Sequence, residues 1–108
     1  MRTLKFIVDK QIIKRDPNCD FSDIVAGTEG YLQAEFSFSP DWNGCVKVVE
    51  FTCRKKECPP QLLGPNNTCI IPAEALVGKS FGIRVMGQKN GLKLTSNKIV
   101  TFQKGGIK

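Results

Sequence analysis

The sequence predicts an all-β fold, an immunoglobulin-like antiparallel β-sandwich with one short helical turn, on three observations. Runs of β-branched and aromatic residues alternate apolar with polar positions. Turn signals recur roughly every eight to twelve residues. Only residues 72–77 carry a helix signature, with Pro72 leading and Gly78 closing. The 108 residues suit a single domain spanning 1–108, with a small closed barrel as the other arrangement.

Each element follows from local chemistry. Residues 4–8 set Leu4, Phe6 and Val8 on one face. Asp9 and Lys10 turn the chain into residues 11–15, a hairpin partner. Residues 16–30 hold Pro17, Asn18, Gly27 and Gly30, so they read as a long loop with one apolar spot at Ile24 and Val25. Residues 31–38 give the clearest alternation: Leu32, Ala34, Phe36 and Phe38 point one way, and Gln33, Glu35 and Ser37 the other. That pattern predicts a half-buried antiparallel strand. Residues 39–44 form a turn around Pro40 and Asn43-Gly44. Trp42 inside it could be an exposed recognition aromatic, but its large apolar area favours the core.

A second strong strand covers residues 46–52. Residues 54–60 are charged and end in Pro59-Pro60, which predicts a loop; residues 61–63 predict a short strand. The turn at 64–67 leads to a strand at 68–71, then to the helical segment, where Glu74 suits the positive end. Residues 80–86 alternate with Phe81, Ile83 and Val85 inward. Lys89-Asn90-Gly91 signals a hairpin, and strands at 92–95 and 99–102 follow, joined by Ser96, Asn97 and Lys98. The spacing assigns both Phe81 and Phe102 to the core. Residues 104–108 predict a frayed tail.

Composition narrows function. With 41% hydrophobic and 24% charged residues the chain is ordinary globular protein, and its longest apolar runs are far short of the ~20 a membrane helix needs. Histidine is absent, which removes the commonest general base and metal ligand. There is no nucleophile elbow, P-loop or dinucleotide fingerprint. Asp16, Asp20 and Asp23 share a loop but lack the glycine and terminal glutamate of a calcium loop. Neither a catalytic site, a metal nor a cofactor is expected. Five cysteines (Cys19, Cys45, Cys53, Cys58, Cys69) behind a start with no apolar signal region predict reduced, mostly buried thiols. Their spacing does not build a zinc site.

Charge is lopsided. The net is +6, yet residues 1–74 carry nine basic and ten acidic residues. The excess lies in Lys79, Arg84, Lys89, Lys93, Lys98, Lys104 and Lys108, with no acid among them. The candidate partner-binding residues are therefore Lys79, Lys89, Lys93 and Lys98, together with the loop cations Arg54, Lys55 and Lys56. Nucleic-acid binding is disfavoured, because stacking aromatics do not accompany the lysines.

In order along the chain, Ala34-Glu35-Phe36-Ser37-Phe38, Asp41-Trp42-Asn43-Gly44, Lys47-Val48-Val49-Glu50-Phe51, Cys69-Ile70-Ile71-Pro72-Ala73-Glu74-Ala75-Leu76, Phe81-Gly82-Ile83-Arg84-Val85-Met86-Gly87 and Leu94-Thr95-Ser96-Asn97-Lys98 resemble a family of small phage proteins. These are β-sandwich proteins of phages and prophages of Gram-positive bacteria, similar to the N-terminal domain of baseplate upper and tail proteins. The resemblance spans roughly residues 31–103 and loosely the first strand. It departs in the five cysteines and in the basic insert at 53–60. It implies a non-catalytic tail or baseplate module whose partner is another tail protein. The alternative is a small phage-encoded inhibitor that blocks a host defence enzyme through a basic surface. Either role places the protein in the host bacterial cytoplasm, the first also in the virion.

Overall fold

The computed structural model describes residues 1–53 and 56–104, without the side chains of Lys56 and Glu57. Arg54, Lys55 and the tail at 105–108, for which fraying is expected, lie outside the described residues. The chain is mostly β, in two antiparallel-rich sheets.

Strand β1 (Arg2–Asp9) buries Leu4, Phe6 and Val8, as its alternation requires. Lys10 takes the left-handed conformation at φ 54°, and β2 (Ile12–Arg15) returns antiparallel along β1. The loop that follows is pinned at several points. The Arg2 guanidinium donates to the carbonyls of Asp20, Ser22 and Asp23. Ile24 is buried in the core, and its carbonyl accepts from the Lys104 N–H at 2.7 Å.

Strand β3 (Leu32–Phe38) buries Leu32, Ala34 and Phe36. The expectation of a purely antiparallel strand is corrected here. From Arg2↔Leu32 to Val8↔Phe38 it runs parallel to β1; only its other edge is antiparallel, to the short strand Thr68–Ile70. A parallel return needs a crossover of about a dozen residues or more. The hairpin strand and the loop at 16–31 supply it.

The second sheet is built on two long central strands. β4 (Val46–Cys53) and the strand Ser80–Lys89 pair antiparallel from Val46↔Gln88 to Thr52↔Gly82. Three short strands precede Ser80–Lys89: β5 (Lys56–Glu57), β6 (Gln61–Leu62) and β7 (Thr68–Ile70), so the long strand is β8. β5 and β6 flank β4, while β9 (Leu92–Thr95) and β10 (Ile99–Phe102) flank the far side of β8. Ten strands thus form among the described residues, against roughly seven to nine expected. The segment expected to be a plain loop at 54–60 contains β5.

Two 3-10 turns complete the chain. Pro40–Trp42 forms one, and Ala73–Val77 the other. The second answers to the predicted helix, but five residues between Pro72 and Gly78 are too few to establish an α-helix, and Leu76 already departs from helical geometry at ψ 22°.

One core joins the sheets: Leu4, Phe6, Val8 and Phe36 from the first meet Val49, Phe51, Phe81, Ile83 and Val85 from the second. Trp42 is fully buried, its ring tilted 42° against Phe38 at 5.2 Å, with its indole N–H donating to the Lys10 carbonyl at 2.7 Å. Along one side the sheets are tied by Asn97. Its N–H donates to the Gln11 carbonyl at 3.0 Å and its side-chain oxygen accepts from the Ile13 N–H at 2.8 Å. That contact covers the open edge of β2, which otherwise presents unpaired backbone groups.

Candidate protein-interaction surface

Residues directly opposite one another on paired strands share a face. Val49, Phe51, Phe81, Ile83 and Val85 are buried against the core. Their neighbours must therefore face outward: Val46, Val48, Glu50 and Thr52 on β4, and Gly82, Arg84, Met86 and Gln88 on β8. Register adds Leu62 opposite Val48, Lys93 opposite Gln88, Thr95 opposite Met86, Val100 opposite Gly82 and Phe102 opposite Ser80.

This outer face is not a polar surface. Val46 is 61% exposed, Leu62 66%, Val100 41% and Phe102 73%, so its large apolar side chains stand in solvent rather than under a covering element. The expectation that Phe102 belongs to the core is corrected. Thr101 takes the inward position opposite Phe81, and Phe102 is turned out. Between the two apolar ends, Arg84 donates from both Nε and Nη2 to Oε1 of Glu50, so each charge is neutralised across the β4–β8 pair. A groove of about 270 Å³ runs over one end, lined by Val46, Val48, Pro60, Met86, Gly87, Gln88 and Lys93. Val46 also lines a second groove, shared with Leu62, Leu63 and Pro65.

Among the described residues, the predicted lysines of the last third do not share one face. Lys93 borders the groove. Lys98 lays its side-chain carbons over Gly82, on the same face. Lys89 lies on the other side of β8, where its ammonium donates to the Asn43 carbonyl at 2.6 Å. Lys79 is exposed just before β8, and its carbonyl accepts from the Gln103 N–H. The backbone of Lys56 lies in β5, while Arg54 and Lys55 lie outside the described residues. Of the remaining cations, Lys104 pairs with Asp23, and Lys47 sits 5.1 Å above the Phe38 ring.

Cys19, Cys45, Cys53 and Cys69 stand outside any disulfide, and burial pushes the Cys69 thiol up to about 12. Asp20 is shifted the other way, below the usual carboxylate range, by the Ser22 hydroxyl and then the Ser22 N–H. Among the described residues no three His, Cys, Asp or Glu side chains come together at metal-binding distance. No helix among them is long and apolar enough to cross a membrane.

Scans against protein-family models, curated proteins and solved structures each find no match.

The apolar part of this surface went unnoticed in the sequence. The available signal lies in residues 46–51, where Val46 and Val48 occupy the phase opposite to Val49 and Phe51. Such a strand is apolar on both faces, and only one of them meets the core.

Proposed function

We propose that this chain is a non-catalytic protein-interaction module that binds through the outer face of its six-stranded sheet. One observation carries the reading: Val46, Leu62, Val100 and Phe102 are all exposed and all share that face. Ile12 and Ile70 also face outward, but on the two opposite edge strands of the four-stranded sheet, and Val77 lies on the second 3-10 turn. Scattered apolar residues are normal on a protein surface, whereas several on one face mark a surface that a partner covers. Two antiparallel-rich sheets around one core, in a chain of this length, support reading the architecture as an immunoglobulin-like sandwich.

The sequence resemblance supports placing the module in a phage tail or baseplate, where it joins a neighbouring structural protein. The second reading, an inhibitor of a host defence enzyme, uses the same face. Lys93 and Lys98 favour it, since cations beside an apolar patch suit a blocker that docks on an acidic surface.

The test is affinity capture of tagged protein from lysate of phage-producing host cells, run beside a Val46→Glu variant. Val46 is 61% exposed, so the variant keeps the fold. Tail or baseplate proteins captured in fixed ratio by the wild type and lost by the variant support the structural module. A single host enzyme with the same dependence supports the inhibitor. Equal capture by both proteins removes the outer face from the account.

A further inference from the structure

The groove beside Val46 says more about what it binds than that it binds. This step rests on the interaction reading above and specifies the chemistry of the partner. The groove holds about 270 Å³ and is partly open to solvent. That is at the low edge of the roughly 300–1,000 Å³ of sites that enclose small molecules. It suits one or two side chains of a peptide segment. Its walls are Val46, Val48, Pro60 and Met86, so the inserted group is apolar.

Charge decides the flanks. The cation bordering the groove is Lys93, and it makes no hydrogen bond or ion pair among the described residues. Lys89 and Lys47, close by in sequence on the same strands or their neighbours, are committed to the carbonyls of Asn43 and Cys45. On the outer face the carboxylate of Glu50 is already taken by Arg84. Among the described residues an occupant therefore meets an apolar floor with the unpaired Lys93 ammonium at its border and no free carboxylate from Glu50. We infer that the groove takes an acidic peptide segment of a partner protein, with one aliphatic or aromatic side chain seated on Val48 and Met86 and a carboxylate placed on Lys93.

A second copy of this chain fits poorly, because each copy carries a net +6 and brings Lys93 to the same patch. A nucleic acid would satisfy Lys93 but leave Val46, Val48 and Met86 against phosphate and sugar, with Phe102 the one exposed aromatic on this face among the described residues to stack on.

The experiment uses the full chain and a random 16-residue peptide library displayed on yeast. Binders are enriched on wild type, then measured as synthetic peptides against wild type, Val46→Glu and Lys93→Glu. The expected consensus is an apolar residue with Asp or Glu within a few positions. Val46→Glu abolishes binding. Lys93→Glu weakens the acidic peptides about tenfold, and leaves versions with Glu changed to Gln unaltered. A consensus without acidic residues, or acidic binders indifferent to both substitutions, overturns the proposal. So does a 20-nucleotide DNA strand that competes with the peptides at physiological salt, or a wild-type dimer in sedimentation that Val46→Glu dissolves. These failures stay separate from failure of the interaction reading itself. If the peptides lack acidic bias while lysate capture still depends on Val46, only the partner chemistry is wrong.

Discussion

Replacing Gly87 with alanine tests how the long strand β8 and the buried tryptophan fit together. A Cβ at residue 87 would stand 2.7 Å from Cε3 and 2.8 Å from Cζ3 of Trp42, and 3.2 Å from the Cys45 Cβ. Carbon atoms pack best at about 3.5–4.0 Å, so the indole must retreat by roughly 1 Å. It has little room, being fully buried, packed against Phe38 and anchored through its N–H to the Lys10 carbonyl. Overpacking of this kind costs about 1–3 kcal/mol. Alanine recovers about 0.4–1 kcal/mol by restricting the unfolded chain, which at mid-range leaves a net loss of about 1 kcal/mol, and at most about 2.5 kcal/mol. For a domain of this size that lowers Tm by about 5–15 °C. Gly82→Ala is the control: its Cβ meets the Thr52 hydroxyl and the Lys98 side chain, which can both swing away on the outer face. Urea unfolding followed by fluorescence of the single tryptophan reads both variants. A Gly87→Ala protein as stable as wild type, with unchanged emission, would refute the packing argument.

Three further outcomes follow from particular contacts. Thr101 is buried with its hydroxyl unpartnered, so Thr101→Val, which removes that desolvated group at constant shape, raises stability by about 1 kcal/mol in the same urea assay; a loss of stability would contradict it. Asn97→Ala leaves the Ile13 N–H without its acceptor and loosens the tie between the sheets, costing about 1–2 kcal/mol, with faster amide exchange in β2 as the direct readout. The Cys69 thiol is held protonated in the folded protein to about pH 12, while in the unfolded chain it ionises near 9. The folded state therefore binds more protons in that interval, and stability falls as pH rises through it. Wild type should lose more stability than Cys69→Ala between pH 8 and pH 10, and equal slopes would remove the effect.

Much of the fold was legible in the alternation of single strands. Leu32, Ala34 and Phe36, and Phe81, Ile83 and Val85, are buried as their alternation selects, with Phe38 half-buried at its strand's end, and the large apolar area of Trp42 pointed it inward. Strand direction was not legible. The alternation of β3 is the same whether its neighbour runs parallel or antiparallel, and the only hint was the long crossover at 16–31. Short strands also hide their phase. In β10, Val100 and Phe102 outweigh Ile99 and Thr101 in apolar character, yet pairing with β8 puts Thr101 inside. The same ambiguity concealed the candidate surface. A charge count along residues 75–108 could not separate Lys89 from Lys93, because hairpin pairing sets them on opposite faces. The residues that make the surface distinctive, Val46, Leu62 and Phe102, come from three strands that only the register brings together.

Amide hydrogen exchange on the captured complex, compared with the protein alone, tests the central claim most directly. Binding through the outer face predicts added protection and slowed exchange in β4, β6 and β9, where Val46, Leu62 and Lys93 lie, with β1 and β3 unchanged. Protection confined to the four-stranded sheet would contradict the account, because the partner would then cover a surface that carries neither the groove nor the exposed apolar face.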